Sequence, residues 1–480
     1  MDTIRTILYV LYIALVAATS VVIVFDRREP AKALAWIIVV ALIPVAGLAL
    51  YVLFGRNHRK EKLFNRKEIR DLEHIERLSG KQLRSLQNRQ SLQLPEVLVN
   101  QEIITLLLNN NKALLTVRNR VELLIDGQAT FEAIIAALEG AKESIHLEYY
   151  IFENDAIGSR IGETLMRKAA EGVEVRLIYD DVGSWSLSRR YVQRMRRAGV
   201  DVRCFMPVVF PWLTSRVNYR NHRKIVVVDG RVGFTGGLNV ADRYLVSGGR
   251  KRWHDTHLRI EGDAVMMLQT IFVTDWFFVG GRPQLDDSKY FPRHDVEDFL
   301  PMQIASSGPD SDWASIMQSY FSAITKARRH IYISSPYFMP DNAILTAIKV
   351  ASLSGIDVRL LIPGSSDHKI VYWATCSYIS ELLAAGVKVY RYRRGFNHSK
   401  IIMIDGRLSS VGTANMDVRS FEDNFETSAF IYDPTLTAQL EELFLDDLRH
   451  SSRINAKRWN SRPVLRRFVE AFSSLFSPLL

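Results

Sequence analysis

Cysteine is nearly absent: Cys204 and Cys376 are the only two in 480 residues. That excludes a disulfide framework and a site built on several thiolates, and it marks both as buried, inert thiols. Compositional extremes are missing as well. Hydrophobic residues make up 48% and charged residues 24% of the chain, which excludes a mainly disordered protein. Acidic residues are in deficit, 52 against 62 Lys and Arg, for a net charge of +10. The surplus favours an anionic partner, nucleic acid or an acidic membrane surface, and does not choose between them.

Charge itself is missing from two stretches near the N-terminus. Thr6 to Phe25 reads TILYVLYIALVAATSVVIVF, and after DRREPAK a second run, ALAWIIVVALIPVAGLALYVLF, extends from Ala33 to Phe54. At about 1.5 Å per residue, each crosses a hydrocarbon core of roughly 30 Å as a helix. Pro44 is tolerated in a membrane helix better than in a soluble one. A cleaved signal peptide is disfavoured by the second span that follows at once. The reading is a transmembrane hairpin over residues 1–56, with spans at 6–25 and 33–54. Arg27, Arg28 and Lys32 sit in its loop, whereas Arg5 precedes it and Arg56, Arg59, Lys60 and Lys62 follow. The balance leans towards both termini, and the bulk of the chain, on the cytoplasmic side. Residues 57–110 read as a basic linker suited to solvent or to acidic headgroups.

Beyond the linker the chain repeats itself. AKESIHLEYYIFENDAIGSRI from Ala141 answers to ARRHIYISSPYFMPDNAILTAI from Ala327, and AAEGVEVRLIYDDVGS answers to SLSGIDVRLLIPGSSD. Short β-branched runs alternate with helical segments ending in Gly, which predicts α/β units with a largely parallel sheet, used twice. The halves divide where Gly, Pro and charge break the pattern, giving 111–285 and 286–480. The second half ends in PVLRRFVEAFSSLFSPLL, an amphipathic tail expected to dock on the domain or to lie at a membrane interface. MPVVFPWL from Met206 is a second apolar stretch, read as a lipid-facing loop or as packing beneath the site.

Each half carries one further signature, NHRKIVVVDG from Asn221 and NHSKIIMIDG from Asn397. The apolar run is too short for a helix and reads as a buried strand, which puts His222 and Lys224 on one face, and likewise His398 and Lys400. A two-residue turn at Asp229-Gly230 sets His222 opposite Gly237 and brings Asn239 alongside. The same turn at Asp405-Gly406 sets His398 opposite Thr413, with Asn415 beside it. Asp229 and Asp405 then serve architecture, bonding backbone or a partner across the halves. Asp255 and Glu426 occupy matching positions downstream, each suited to orient an imidazole. His254 and His257 point to opposite faces of a strand, so no zinc site is read there.

Two imidazoles divide one displacement at phosphorus into two easier steps: one attacks and is phosphorylated, the other protonates the departing alcohol and then activates the acceptor. Two Lys and two Asn stabilise the phosphoryl oxygens, so the scheme requires neither metal nor cofactor.

These paired motifs resemble the HKD signature of the phospholipase D superfamily, over about Val121 to Ser452. The hairpin, SSPYFMPD from Ser334 and GTANMDVRSFEDNFE from Gly412 are most similar to membrane-anchored bacterial cardiolipin synthases. The resemblance implies two similar α/β halves, each a mixed sheet flanked by helices, facing each other around one active site. It implies transfer of a phosphatidyl group from one phosphatidylglycerol to another at the bacterial inner membrane. It also implies a catalytic set of His222, Lys224, Asp229, His398, Lys400 and Asp405, phosphate-binding Asn239 and Asn415, and His222 as nucleophile with His398 as acid–base. Phospholipid hydrolysis shares every one of these residues. A nucleic-acid phosphodiesterase leaves the hairpin unexplained, and a non-catalytic scaffold leaves both intact sets unexplained. Asp417 and Arg419, next to Asn415, are candidate headgroup contacts.

Overall fold

The computed structural model describes residues 2–25, 30–51, 77–84, 95–208, 219–246, 252–282, 289–365 and 367–477. Two compact units result, Met1–Asn65 with Val208–Tyr219, and Arg66–Pro207 with Arg220–Leu480. The arginines and lysines at 27, 28, 56, 59, 60 and 62 lie outside the described residues. So do positions 209–213 of the MPVVFPWL stretch and most of the basic linker.

The first unit holds helix α1 (Asp2–Phe25), α2 (Pro30–Leu42) and α3 (Pro44–Leu50). Within α1, Arg5–Phe25 is apolar and long enough to cross a bilayer. The second expected span is interrupted over its described part. Pro44 has no N–H to donate, and the chain leaves helical geometry at Ile43, with φ −136° and ψ 73°. Among the described residues, Arg5–Phe25 is therefore the one helix that meets the bilayer length alone. The helices close on a small core of Ile23, Val40 and Tyr51, flanked by Val16 and Trp36.

In the second unit the first half contributes strands β1 (Thr116–Ile125), β2 (Ser144–Tyr149), β3 (Glu174–Asp180), β4 (Asp201–Phe205), β5 (Lys224–Val228), β6 (Val232–Gly236) and β7 (Thr256–Gly262). The second half contributes β8 (Phe299–Ser307), β9 (His330–Ser334), β10 (Asp357–Pro363), β11 (Lys388–Tyr392), β12 (Ile401–Ile404), β13 (Leu408–Gly412), β14 (Glu426–Ile431) and β15 (Ser451–Arg453). All fifteen join in one sheet, ordered β15-β11-β10-β9-β12-β13-β14-β8-β1-β7-β6-β5-β2-β3-β4. Read outward from the central β8–β1 pair, the two halves follow the same order. The sequence repeat is thus a structural repeat about that pair.

The sheet is mixed rather than largely parallel. Only the flanks β2-β3-β4 and β9-β10-β11 run parallel, and the centre is antiparallel. The repeat extends to helix starts. Asp155 caps helix Ala156–Ala170 by accepting from the Gly158 N–H, and Asp341 caps Asn342–Leu353 by accepting from Ile344. Helix Gln101–Asn111, read from sequence as linker, buries Ile103, Ile104, Leu107 and Leu108 in the core shared with the second half.

Three further helices bear on function: α4 (Val265–Phe278), α5 (Lys369–Ala384) and α6 (Pro434–Arg449). The C-terminal helix α7 (Val464–Ser474) packs along α5. Cys376 is buried and Cys204 half-buried; burial pushes their thiols up to about 11 and about 12, well away from reactive thiolates.

Candidate active site

Strand β5 is all apolar after Lys224 and fully buried, and the hairpin to β6 turns at Asp229 and Gly230, both at positive φ. The Arg231 N–H closes this turn on the Val228 carbonyl, but the ladder resumes one residue later, with Val228 opposite Val232. The second copy does the same through Arg407, with Ile404 opposite Leu408. One extra turn residue in each hairpin removes the expected oppositions of His222 with Gly237 and His398 with Thr413.

The two Asp carboxylates are spent on architecture. Asp229 accepts from the backbone N–H groups of Lys142, Glu143 and Ser144 at 2.8–2.9 Å. Asp405 accepts from Arg328, Arg329 and His330 at 2.7–3.0 Å. Each locks its hairpin to the start of the neighbouring strand, roughly 20 Å of extended chain from the motif's His. The hydrogen-bond partners of the imidazoles are other carboxylates.

What the imidazoles meet comes from the opposite half. His222 Nδ1 lies 3.0 Å from the Glu426 carboxylate, and His398 Nδ1 lies 2.7 Å from Asp255. Backbone bonds set both crossings. The His222 N–H donates to Phe425 O at 2.9 Å, and the His398 N–H donates to His254 O at 2.7 Å. The next residue in each case is the carboxylate. With Nδ1–H given to a carboxylate, both imidazoles keep Nε2 unprotonated and open to a substrate.

Burial sets the charges. It pushes His222 down to about 4 against the pull of Glu426, and holds His398 well below its usual range. Both rings are neutral near pH 7. Burial also lowers Lys224 to about 7 and Lys400 to about 8, with neighbouring carboxylates opposing. Their ammonium groups rest on the carbonyl oxygens of His222 and His398, at 2.7 and 2.6 Å. Each lysine feels the opposite half's carboxylate, and His398 feels His222, so the two sets form one electrostatic site.

The halves differ in detail. Glu426 stays below its usual range despite burial, because His222, Lys224 and Thr413 favour the carboxylate. Thr413 donates its hydroxyl to it and Asn424 adds a bond at 3.2 Å. Asp255 is raised to about 6 by burial, and where the second half has Thr413 the first has Gly237, whose absent Cβ leaves room for Asp255 Oδ1. His398 is ringed by Tyr244, Trp253, Tyr337 and Phe396, whereas His222 meets Tyr150 edge-on. Apart from Tyr337, which lies in SSPYFMPD, none of these aromatics stands out in sequence.

Asn239 is buried but engaged within its own half, accepting from Ile151 N–H at 3.1 Å and donating to Tyr244 OH at 2.8 Å. Asn415 Oδ1 is buried and makes no hydrogen bond among the described residues. Asp417 caps the helix Val418–Glu422 through Ser420 N–H at 2.7 Å, and burial raises it to about 6. Two interface clamps were not anticipated. Buried Arg223 bonds Asp275 of α4 and the Glu426 and Ser307 carbonyls. His254 bridges Asp126 at 2.6 Å and Asp447 of α6 at 3.0 Å. Among the described residues no cluster of His, Cys, Asp or Glu is arranged to hold a metal ion.

Residues 134–276 and 320–448 match the cardiolipin synthase, PLD-like domain family. The cardiolipin synthase of Alkalihalophilus pseudofirmus is 44% identical over 467 residues, 96% of this chain and 91% of that one. The cardiolipin synthase of Listeria monocytogenes is 41% identical over the full length of both chains. This chain belongs to the cardiolipin synthase family. Residues 13–56 also match the phospholipase D-nuclease N-terminal family, and with the apolar α1 this associates the chain with membranes. Among solved structures, a phosphatidylserine synthase of Haemophilus influenzae shares the fold, with TM-score 0.61 and 15% identity over 80% of this chain and all of that one. A polyphosphate kinase of Porphyromonas gingivalis superposes with TM-score 0.50 over 74% of this chain and 53% of that one. Cardiolipin synthase membership gives a reason for two phosphorus-directed sets on one sheet, and for the phospholipid substrates a membrane-associated enzyme meets.

Proposed function

We propose that this protein is a membrane-bound cardiolipin synthase that moves a phosphatidyl group from one phosphatidylglycerol to the hydroxyl of a second, releasing glycerol. The observation that carries this reading is the pair of neutral imidazoles, each held at Nδ1 by a carboxylate of the other half. His222 Nε2 attacks phosphorus, and Glu426 stabilises the positive charge that grows on the ring; its ionised, donor-supported carboxylate favours His222 for this role. The proton for departing glycerol comes from the fraction of enzyme in which the His398–Asp255 pair, favoured by the raised proton affinity of Asp255, holds one proton more than the resting tautomer; it leaves from His398 Nε2 as the P–O bond to glycerol breaks, and Nε2 is then free. His398 then takes the proton of the incoming lipid hydroxyl, which attacks the phosphohistidine and frees His222.

Lys224 and Lys400 are neutralised partly by burial alone, so a bound phosphodiester restores their charge and draws them from the His carbonyls to the phosphoryl oxygens. Asn415 meets a phosphoryl oxygen through its donor end, Nδ2–H; Asn239 acts at one remove, donating to the Tyr244 hydroxyl beside His398. We read α1 as the first span and α2 with α3 as a kinked second span, making a hairpin that keeps the active unit at the lipid surface.

The test is phosphatidylglycerol as sole lipid with chelator present, products identified by mass. Cardiolipin plus glycerol, lost in His222→Ala and His398→Ala, is expected. Phosphatidic acid plus glycerol would replace the transferase with a hydrolase.

A further inference from the structure

The tail helix α7 is amphipathic but docks with the wrong face for a soluble protein. At about 100° per residue, Val464, Leu465, Phe468 and Phe472 fall within one stripe about 100° wide, and Leu475 and Phe476 follow in the turn past its end. Every one of them faces outward: Val464 is 78% exposed, Leu465 74%, Phe468 64% and Leu475 72%. The opposite face, with Glu470, Ser473 and Ser477, is buried. The sequence expectation that the apolar positions dock on the domain is reversed.

The inward face is built to stay there. Glu470 pairs with Arg462 at 2.7 Å and with Arg466 at 3.1 Å, and Arg462 stacks on the Trp459 ring at 3.6 Å. The outward stripe is therefore not a helix awaiting rotation, and a contiguous apolar surface of this size marks an interaction site.

Charge names the occupant. From Arg453 to the C-terminus there are six basic residues, Arg453, Lys457, Arg458, Arg462, Arg466 and Arg467, and one acid, Glu470. That acid is sequestered, while Arg453, Lys457, Arg458 and, on α7 itself, Arg467 are exposed, so the exposed charge of this tail is positive. An apolar stripe of Leu and Phe on a tail whose exposed charges are Arg and Lys matches an anionic bilayer surface. The same chain carries a bilayer-length helix at its other end.

We propose that α7 is an interfacial helix: its Phe and Leu stripe inserts into the acyl boundary of an anionic leaflet, giving the active unit a membrane contact separate from the N-terminal helices. This rests on the membrane reading above but not on which phospholipid is processed.

The test uses the full chain with Cys204→Ser, reconstituted in phosphatidylglycerol-containing vesicles, and a nitroxide attached at Phe472→Cys or, as control, Arg467→Cys. The Phe472→Cys label should collide more with oxygen than with a water-soluble nickel chelate, and the Arg467→Cys label the reverse. Equal access of the chelate to both labels overturns the proposal. Dipolar broadening at Phe472→Cys, persisting on dilution into excess lipid, also overturns it by assigning the stripe to a second copy. Because labelling needs no turnover, its result is independent of the transferase reading. As a second measurement, Phe468→Glu with Phe472→Glu should keep its melting temperature and lose about tenfold in rate on vesicle substrate, but not on short-chain substrate in micelles. An equal loss on both, or none, refutes the insertion.

Discussion

Replacing Glu426 by Gln tests the crossed wiring at its strongest point. Glu426 receives donors from His222 Nδ1 at 3.0 Å, from Asn424 at 3.2 Å and from Thr413. Gln preserves the shape but offers one acceptor oxygen and an NH2 group with two protons of its own. A donor then meets Nδ1–H, and the strain is relieved if the His222 proton moves to Nε2. That tautomer presents no lone pair to phosphorus. In a serine-protease triad, the equivalent carboxylate-to-amide change costs about 10⁴ in kcat. We expect about 10³–10⁴ here, or roughly 4–5.5 kcal/mol at about 1.36 kcal/mol per tenfold. KM should move by less than about threefold, because Glu426 acts through the ring rather than on lipid.

The assay is the initial rate of cardiolipin formation in mixed micelles, with acid quenching to count phosphorylated enzyme. Asp255→Asn provides the contrast. On a nitrophenyl phosphodiester, whose leaving group needs no proton, Asp255→Asn should recover a burst of nitrophenol and Glu426→Gln should not. A kcat within tenfold of wild type for Glu426→Gln would refute the tautomer argument. A burst in Glu426→Gln but not in Asp255→Asn would exchange the roles of the two histidines.

Asp229→Ala removes the acceptor for three backbone N–H groups, so the melting temperature should fall by several degrees, reflecting about 2–3 kcal/mol. Activity per folded molecule should stay within about threefold; a loss matching His222→Ala would return Asp229 to the chemistry. For the free enzyme, kcat/KM should rise with pH through about 4 as His222 loses its proton, and fall first as the His398–Asp255 pair, with Asp255 raised to about 6, loses the proton it gives to glycerol, then through about 7 and about 8 as Lys224 and Lys400 lose theirs. A profile still climbing at pH 8 would contradict charged lysines as phosphate binders. Gly237→Ala puts a Cβ about where Asp255 Oδ1 lies, 2.1 Å away, and should cost about 10–100-fold in kcat, as disturbed outer-shell partners do. Thr413→Val, which removes only a hydroxyl donor to Glu426, should cost less than Gly237→Ala in the same rate assay.

The sequence made the strands and the repeat legible because their signals are local. Ile225 to Val228 is β-branched and Asp229-Gly230 follows, so strand and turn can be read without a partner. Register could not be read, since nothing local separates a ladder resuming at Arg231 from one resuming at Val232. The orienting carboxylates were half legible. Aligning the two copies finds Asp255 and Glu426 as equivalents, but alignment pairs residues that correspond and not residues that touch. Here equivalence and contact differ: Glu426 corresponds to Asp255 and touches His222. The aromatic ring around His398 was invisible for the same reason, since Tyr244, Trp253, Tyr337 and Phe396 come from both halves and share no spacing. At the tail, periodicity showed the stripe, but only packing tells which face is inward.

Crossing also makes the site conditional on contact between the halves, and the two clamps that hold this contact are chemically unlike. Arg223, on the Glu426 side, keeps its charge at any working pH. On the Asp255 side the clamp is His254, raised to about 10 because Asp126 and Asp447 outweigh its burial. Its folded value lies above its unfolded value of about 6.5. The stabilisation is therefore fully present below about 6.5, declines as pH rises, and is gone once pH passes about 10. His254→Gln should accordingly lower the melting temperature most between about pH 5 and 6.5, and progressively less towards pH 10. A deficit independent of pH across that range would mean the imidazolium is not what holds Asp126 to Asp447. If the deficit follows the titration, alkaline loosening of the contact between the halves begins beside His398.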